Sequence, residues 1–259
     1  MPFQVELPKT FTQAKPCAGM WICSGSPVAA EIAGSSGFEW VLIDAEHSPY
    51  GLETVTSLLR ATDAYPVTQV VRLPVNDTAL IKQYLDLGAQ NLMIPMVDTA
   101  EEAAAAVAAM YYPPKGVRGV GSALARSSRW NGVPDYLHNA GDTVNLIVQI
   151  ESQQAVDNAE AIVATEGVDA VFIGPSDLAA SMGLIGQQQH PDVLAAVDKA
   201  MQAAIKAGVP VGVNAFNRDQ ARAYLDSGAE FVLVGADVQL LATSARNLAE
   251  EFKTDKDGS

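Results

Sequence analysis

The chain of 259 residues reads as one α/β domain, a (β/α)8 barrel of the TIM type occupying 1–259. Three observations predict it. Eight short apolar runs alternate strictly with eight helix-like stretches, the signature of that barrel at its usual length. The runs are continuously apolar, as strands buried on both faces are. Gly37, Gly88, Gly167, Gly208 and Gly228 each end a helix-like stretch just before a strand-like run, where a left-handed helix stop belongs.

The first run, 17–23, leads into a helix over 26–36 that begins at Ser26-Pro27. The second, 39–44, precedes a helix over 51–63, and the third, 67–72, one over 76–87. The fourth run, 90–95, feeds an alanine-rich helix over 98–111. About thirty residues, 113–142, then separate that helix from the fifth run and form an insertion. Leaving from a helix end, the insertion starts at the lower rim of the barrel, and a connection of that length packs against something or serves function. Strands at 145–150 and 169–174 flank a helix over 152–166, and helices over 191–207, 217–227 and 237–252 alternate with strands at 209–213 and 230–235. Tyr84-Leu-Asp-Leu-Gly-Ala and Tyr224-Leu-Asp-Ser-Gly-Ala mark two helix–strand junctions built alike.

Charge and composition narrow the function. Sixteen Lys and Arg against thirty Asp and Glu leave a net charge of −14. Such a chain has no general attraction for nucleic acid or anionic lipid. Arg118, Arg126 and Arg129 come nearest to a basic cleft. No apolar stretch spans a membrane. The N-terminal Met1-Pro-Phe-Gln-Val-Glu lacks the basic-then-apolar plan of a signal peptide, so the expected compartment is the cytoplasm. Cys17 and Cys23 have neither metal-like nor redox-like spacing and are expected as small buried hydrophobes.

In this fold the chemistry collects at the carboxyl ends of the strands. Asn145-Leu-Ile-Val-Gln-Ile-Glu151 and Asp169-Ala-Val-Phe-Ile-Gly-Pro-Ser-Asp177 each deliver a carboxylate there from consecutive strands. Two carboxylates at one rim suit a hard divalent cation whose remaining coordination positions stay open to water and substrate oxygens. The pair does not choose among Mg²⁺, Mn²⁺ and Co²⁺. The second strand ends in Asp44-Ala-Glu46-His47, the third in Arg72, the seventh in Asn214 and the eighth in Gly235-Ala-Asp237. His47, one of three histidines, is placed for proton transfer near neutral pH, whereas His138 lies in the insertion and His190 precedes a helix. Arg72 beside a metal site points to an anionic oxygen. Gln149 is expected to face the barrel interior and donate to a substrate oxygen, and Gly174-Pro175-Ser176 opens a turn whose amides suit a carboxylate. None of the eight lysines (Lys9, Lys15, Lys82, Lys115, Lys199, Lys206, Lys253 and Lys256) falls at a strand end, so no Schiff base is expected. Asp237 in the eighth loop argues against a phosphate cup. What is left is a metal-held enolate, formed by proton removal or by carbon–carbon cleavage, with no organic cofactor.

The segments Phe38-Glu-Trp-Val-Leu-Ile-Asp-Ala-Glu-His47, Tyr112-Pro-Pro-Lys-Gly-Val-Arg-Gly-Val-Gly-Ser-Ala-Leu-Ala-Arg126 and Val171-Phe-Ile-Gly-Pro-Ser-Asp-Leu178 resemble the hydroxyketoacid aldolases, class II metal-dependent pyruvate aldolases. The resemblance runs from about Ala18 to Phe252. It implies a homo-oligomer, a hexamer, in which partner subunits contribute to each site. It also implies Glu151 and Asp177 as metal ligands, Arg72 as the enolate stabiliser and His47 as the base. Gln149 with the amides around Ser176 and Asp177 would bind pyruvate, and Asp86 would raise the basicity of the histidine. Ser176 stands where alanine occurs in a relative, which matters little if the backbone amide makes the contact. Asp86 lies at the end of the third helix, near the lower rim, roughly a strand length (about 17–20 Å) from His47, so any such influence runs between subunits.

The activity expected is reversible cleavage of a 4-hydroxy-2-oxo acid into pyruvate, or a related 2-oxo acid, and an aldehyde. A 2-dehydro-3-deoxyglucarate-type aldolase differs mainly in the aldehyde. A citryl- or malyl-CoA lyase relative would need a coenzyme A groove, for which the acidic chain offers no clear basic patch. A non-catalytic binding barrel would have no need of metal ligands, base and arginine together.

Overall fold

The computed structural model describes residues 17–253. Lys9, Lys15, Lys256 and the N-terminal segment read above lie outside them. Eight parallel strands close into a barrel in chain order. They are β1 (Cys17–Ile22), β2 (Trp40–Asp44), β3 (Thr68–Arg72), β4 (Asn91–Ile94), β5 (Asn145–Ile150), β6 (Ala170–Ile173), β7 (Val211–Asn214) and β8 (Phe231–Ala236). The helices are α1 (Pro27–Ser35), α2 (Leu52–Thr62), α3 (Thr78–Asp86), α4 (Ala100–Met110), α5 (Tyr136–Asn139), α6 (Gln153–Asp157), α7 (Ala159–Val163), α8 (Pro175–Ser181), α9 (Pro191–Ala207), α10 (Arg218–Asp226) and α11 (Asp237–Glu251). Among the described residues no helix is long and apolar enough to cross a membrane.

The continuously apolar strands serve two cores. Trp40, Leu42, Val70, Met93, Ile147, Phe172, Phe231 and Leu233 fill the barrel, while their neighbours Val41, Ile43, Val71, Leu92, Val148, Val171 and Val232 pack under the helices. Trp40 meets Phe172 and Phe231 edge-on, with ring centroids 6.2 and 5.5 Å apart. Gly212 makes room for this cluster, since a Cβ there would lie 2.2 Å from the Phe231 ring. Side chains alternate along a strand, so the interior rows Trp40–Leu42, Val70 and Ile147 continue upward to Asp44, Arg72 and Gln149. The barrel thus aims its polar residues at one mouth. The five predicted glycine stops all have positive φ, from +72° at Gly208 to +106° at Gly228.

Three departures from the expected elements stand out. The helix expected over 152–166 is broken at Asn158 into α6 and α7; the Asn158 side chain donates to the Asp98 carbonyl at 2.8 Å. The turn expected at Gly174-Pro175-Ser176 is instead the first turn of α8, with Pro175 at a helical position that needs no N–H. The insertion holds short 3-10 turns at Ser122–Leu124, Arg126–Ser128 and Ala140–Thr143 besides α5.

Two of its arginines are buried pins. Arg118 donates to Asp86 at 2.8 Å and lies over the Tyr112 ring, and Arg126 pairs with Asp63 and donates to the Leu87 carbonyl. These pairs tie the insertion to the ends of α2 and α3; Arg118 lines no cleft, and Arg126 and Arg129 share only a small cavity of about 30 Å³. His190 caps α9, its ring accepting from the Asp192 amide, and His138 is exposed.

Candidate active site

The strand ends surround a cavity of about 450 Å³ at the upper mouth, lined by Arg72, Gln149, Glu151, Gly174, Ser176, Asp177 and His47 among others. Register assembles the first part of it. Asp44 on β2 stands beside Arg72 on β3, and Arg72 Nε donates to Asp44 Oδ1 at 2.9 Å. Arg72 Nη1 reaches Glu46 at 2.8 Å, and the guanidinium lies 4.4 Å from the centroid of the Trp21 ring. Two acids and an aromatic face therefore fix the plane of the fork, and Nη2 is the corner neither acid engages. Burial opposes the guanidinium charge, but the Asp44 hydrogen bond and the charges of Asp44, Glu46 and Glu151 outweigh it and raise the pKa above its ordinary value.

Glu151, just beyond β5, is almost fully buried. One of its oxygens accepts from the Met96 amide and the other from Gln149 Nε2, each at 2.8 Å. Met96 holds φ at 51°, a left-handed conformation uncommon for a residue with a side chain, and it aims its amide at the carboxylate. Gly174 faces Glu151 so closely that a Cβ would sit 2.6 Å from its Oε2. Burial pushes the Glu151 carboxyl up to about 7; the Met96 hydrogen bond opposes this, and the nearby charges of Asp177 and Glu46 add to it. Glu46 is likewise raised, first by burial. Among the described residues no cluster of three or more His, Cys, Asp or Glu forms a ready-made metal cage. Yet two carboxylates that repel each other at one cavity, Glu151 buried and Asp177 open to solvent, with the Gln149 carbonyl beside Glu151 buried and unpartnered, fit a hard cation.

His47 is exposed, as are Ser176 and Asp177; its side chain is 67% accessible, with Nε2 3.9 Å from Glu46. The cavity does not include two of the expected residues. Pro175 is buried behind its rim, and Asp86 sits at the end of α3 with Arg118. Conversely, Asp44, Glu46, Trp21 and the Met96 amide shape the site without having been assigned roles. Asp44 and Glu46 were visible at their strand end; the Met96 contact is a backbone one and leaves no trace in residue type. Trp21 is held by its Nε1 donating to Asn214 at 3.0 Å. Asp237 binds the Cys23 and Ser24 amides at 2.8 and 3.1 Å, joining the β8 and β1 ends. Cys17 and Cys23 are half-buried rather than buried, and Cys23 borders the cavity; burial raises both thiols to about 12, so neither is a ready nucleophile. Of the described lysines, Lys82, Lys115, Lys199, Lys206 and Lys253, none lines the cavity.

Comparison with known proteins identifies the family. Residues 17–244 match the model of a family described as HpcH/HpaI aldolase/citrate lyase. The chain is 51% identical over 251 residues to a hydroxypyruvate/pyruvate aldolase of Deinococcus radiodurans, covering 95% of this chain and 91% of that one. It is 48% identical over 247 residues to a 4-hydroxy-2-oxo-heptane-1,7-dioate aldolase of Salmonella paratyphi C, covering 95% and 94%. A crystal structure of an HpcH/HpaI aldolase/citrate lyase family protein from Burkholderia cenocepacia superposes with a TM-score of 0.89 at 40% identity, covering 93% of this chain and 95% of that one.

Proposed function

Since the chain belongs to the HpcH/HpaI aldolase/citrate lyase family, we propose that the upper cavity is where it cleaves 4-hydroxy-2-oxo acids, with Arg72, His47, Glu151 and Asp177 as its working residues. The enzyme is a carbon–carbon lyase, an aldolase releasing a 2-oxo acid such as pyruvate and an aldehyde. The observation that carries the site assignment is the convergence of a fixed guanidinium, a histidine and two mutually repelling carboxylates on one cavity.

Glu151 and Asp177 would hold a divalent cation, Mg²⁺, Mn²⁺ or Co²⁺, which when bound supplies a Lewis acid that polarises the 2-oxo group. The residues of the chain do the rest. As the C3–C4 bond breaks, negative charge grows on the 2-oxo oxygen, and Arg72 offers it Nη2 from a plane already fixed by Asp44, Glu46 and Trp21. His47 takes the proton of the C4 hydroxyl. First-turn amides of a helix have no partner within it, so those of Ser176 and Asp177, with Gly174 and Gln149, receive the substrate carboxylate.

Separate roles give separate losses. His47→Ala should abolish most cleavage while Mn²⁺ affinity measured by calorimetry stays near wild type, and Asp177→Ala should lose the metal itself. Loss of Mn²⁺ binding in His47→Ala would make the histidine a ligand and overturn this division.

We also assign Asp86 a role across subunits of a homo-oligomer, a hexamer on the family resemblance. Within one subunit Asp86 is engaged by Arg118. Support for an oligomer comes from α11, none of whose residues is buried; Leu241, Leu248 and the following Phe252 are exposed, as are Val28 and Ile32 on α1. Exposed apolar side chains on these two helices are what a subunit interface would cover. Mixing inactive Asp86→Ala with inactive His47→Ala subunits should regenerate a fraction of intact sites. Mixed oligomers without recovered activity would refute the trans role.

A further inference from the structure

Beside the catalytic cavity lies a second one of about 250 Å³, lined by Ser176, Gln188, Asn214, Asn217, Gln220 and Tyr224 among others. The two share Ser176, Asn214 and Phe216, so the smaller lies directly against the larger. It is several times a water's ~30 Å³ share of the liquid, room enough for a short carbon chain. No step described above uses it.

Its lining sets five carboxamides against the apolar Pro175, Ala215 and Phe216 and carries no positive charge: no lysine, arginine or histidine borders it. Two of the amides are turned into donors by their own contacts. The Asn214 carbonyl accepts from Trp21 Nε1 at 3.0 Å, and the Asn217 carbonyl accepts from the Asp219 and Gln220 amides at 3.0 Å as the cap of α10. Each therefore keeps its NH2 for a guest. Gln188 Nε2 donates to Ser176 Oγ at 3.2 Å, which leaves its carbonyl as an acceptor. Donors and acceptors together match hydroxyl groups, which are both. A carboxylate would find donors but no cation, beside the acid Asp177, and its desolvation would go uncompensated.

We infer that this bay receives the non-reacting tail of the aldehyde and selects neutral, hydroxylated chains over carboxylate-bearing ones. The inference rests on the aldolase reading above and names its aldehyde class. It sets this enzyme apart from an aldolase whose substrate is a 1,7-dioate, because that substrate leaves a carboxylate on its aldehyde half.

The test couples pyruvate to acetaldehyde, glyceraldehyde and succinic semialdehyde in the metal-supplied, full-length enzyme. Acetaldehyde carries no hydroxylated tail for the bay to hold. Wild type should favour glyceraldehyde over succinic semialdehyde by about tenfold or more in kcat/KM. Gln188→Arg, which places a cation in the bay, should shift that ratio at least tenfold toward succinic semialdehyde. Gln188→Leu should lower the glyceraldehyde value several-fold. In both variants acetaldehyde turnover and the KM for pyruvate should stay within twofold of wild type. An unchanged aldehyde ratio in Gln188→Arg, with acetaldehyde turnover intact, would overturn the inference and leave the aldolase reading standing. So would variants that alter only the pyruvate KM. Absence of turnover with all three aldehydes would instead sink the aldolase reading, and the inference with it.

Discussion

Arg72→Lys should cost cleavage about 2–4 kcal/mol of transition-state stabilisation, roughly 30- to 1,000-fold in kcat/KM, as for loss of an oxyanion donor. The wild-type guanidinium makes three contacts at once, to Asp44, to Glu46 and to the Trp21 face, and still presents a corner to the cavity. An ammonium is a point charge on a flexible stem and cannot fill all four directions. It would settle against Asp44 and Glu46, the nearest acids, and the developing charge on the substrate would lose its partner. Asp44 is 2% exposed, so the substitution also leaves part of a buried carboxylate poorly paired, and stability should fall by about 1–3 kcal/mol. Thermal unfolding run beside steady-state kinetics separates the two losses. A folded variant with near wild-type kcat would make Arg72 a structural residue.

Glu151→Gln keeps the shape of the side chain and removes the charge. Divalent-metal affinity should fall on the order of 100-fold or more, since even residues that only support a ligand typically cost 10- to 100-fold. The wild-type carboxyl, pushed to about 7 by burial, must lose its proton before it can ligate. Wild-type Mn²⁺ affinity should therefore drop as pH falls below about 7, and that slope should flatten in the variant. The sign for stability is opposite. A carboxyl whose folded pKa is raised holds its proton more tightly in the folded state, so the metal-free protein loses stability as pH rises toward and through 7. The neutral variant lacks this loss, and Gln149 can turn its unpartnered carbonyl toward the new amide. Metal-free Glu151→Gln should melt above metal-free wild type at pH 8. A lower melting temperature there, with unchanged metal affinity, would show that Glu151 is not held as a strained carboxylate.

The barrel was legible because its two physical signals are local: strand-sized apolar runs buried on both faces, and glycine where a helix must stop with positive φ. Much of the cavity lining was legible because strand carboxyl ends gather at one mouth of the barrel, and alternation along the strands sets Asp44, Arg72 and Gln149 in line with Trp40, Val70 and Ile147. What escaped depends on contacts between distant segments. Nothing in the composition of 152–166 announces that Asn158 will bond to Asp98 across the α4 entrance and interrupt a helix. The left-handed turn at Met96 serves Glu151, fifty-five positions away, through a backbone amide. Arg118 and Arg126 read as the nearest approach to a basic cleft, because their pairing with Asp86 and Asp63 joins segments far apart in sequence. Pro175-Ser-Asp177 could be read as turn or helix, since both begin with the same chemistry.

The most direct test is turnover of a 4-hydroxy-2-oxo acid before chelation, after chelation, and after adding back Mn²⁺, Co²⁺ or Mg²⁺, with a parallel sample treated with borohydride and pyruvate. Activity should vanish on chelation, return with a divalent ion, and survive borohydride. Cleavage that persists without metal, or pyruvate trapped covalently on a lysine, would contradict an aldolase built on Glu151 and Asp177.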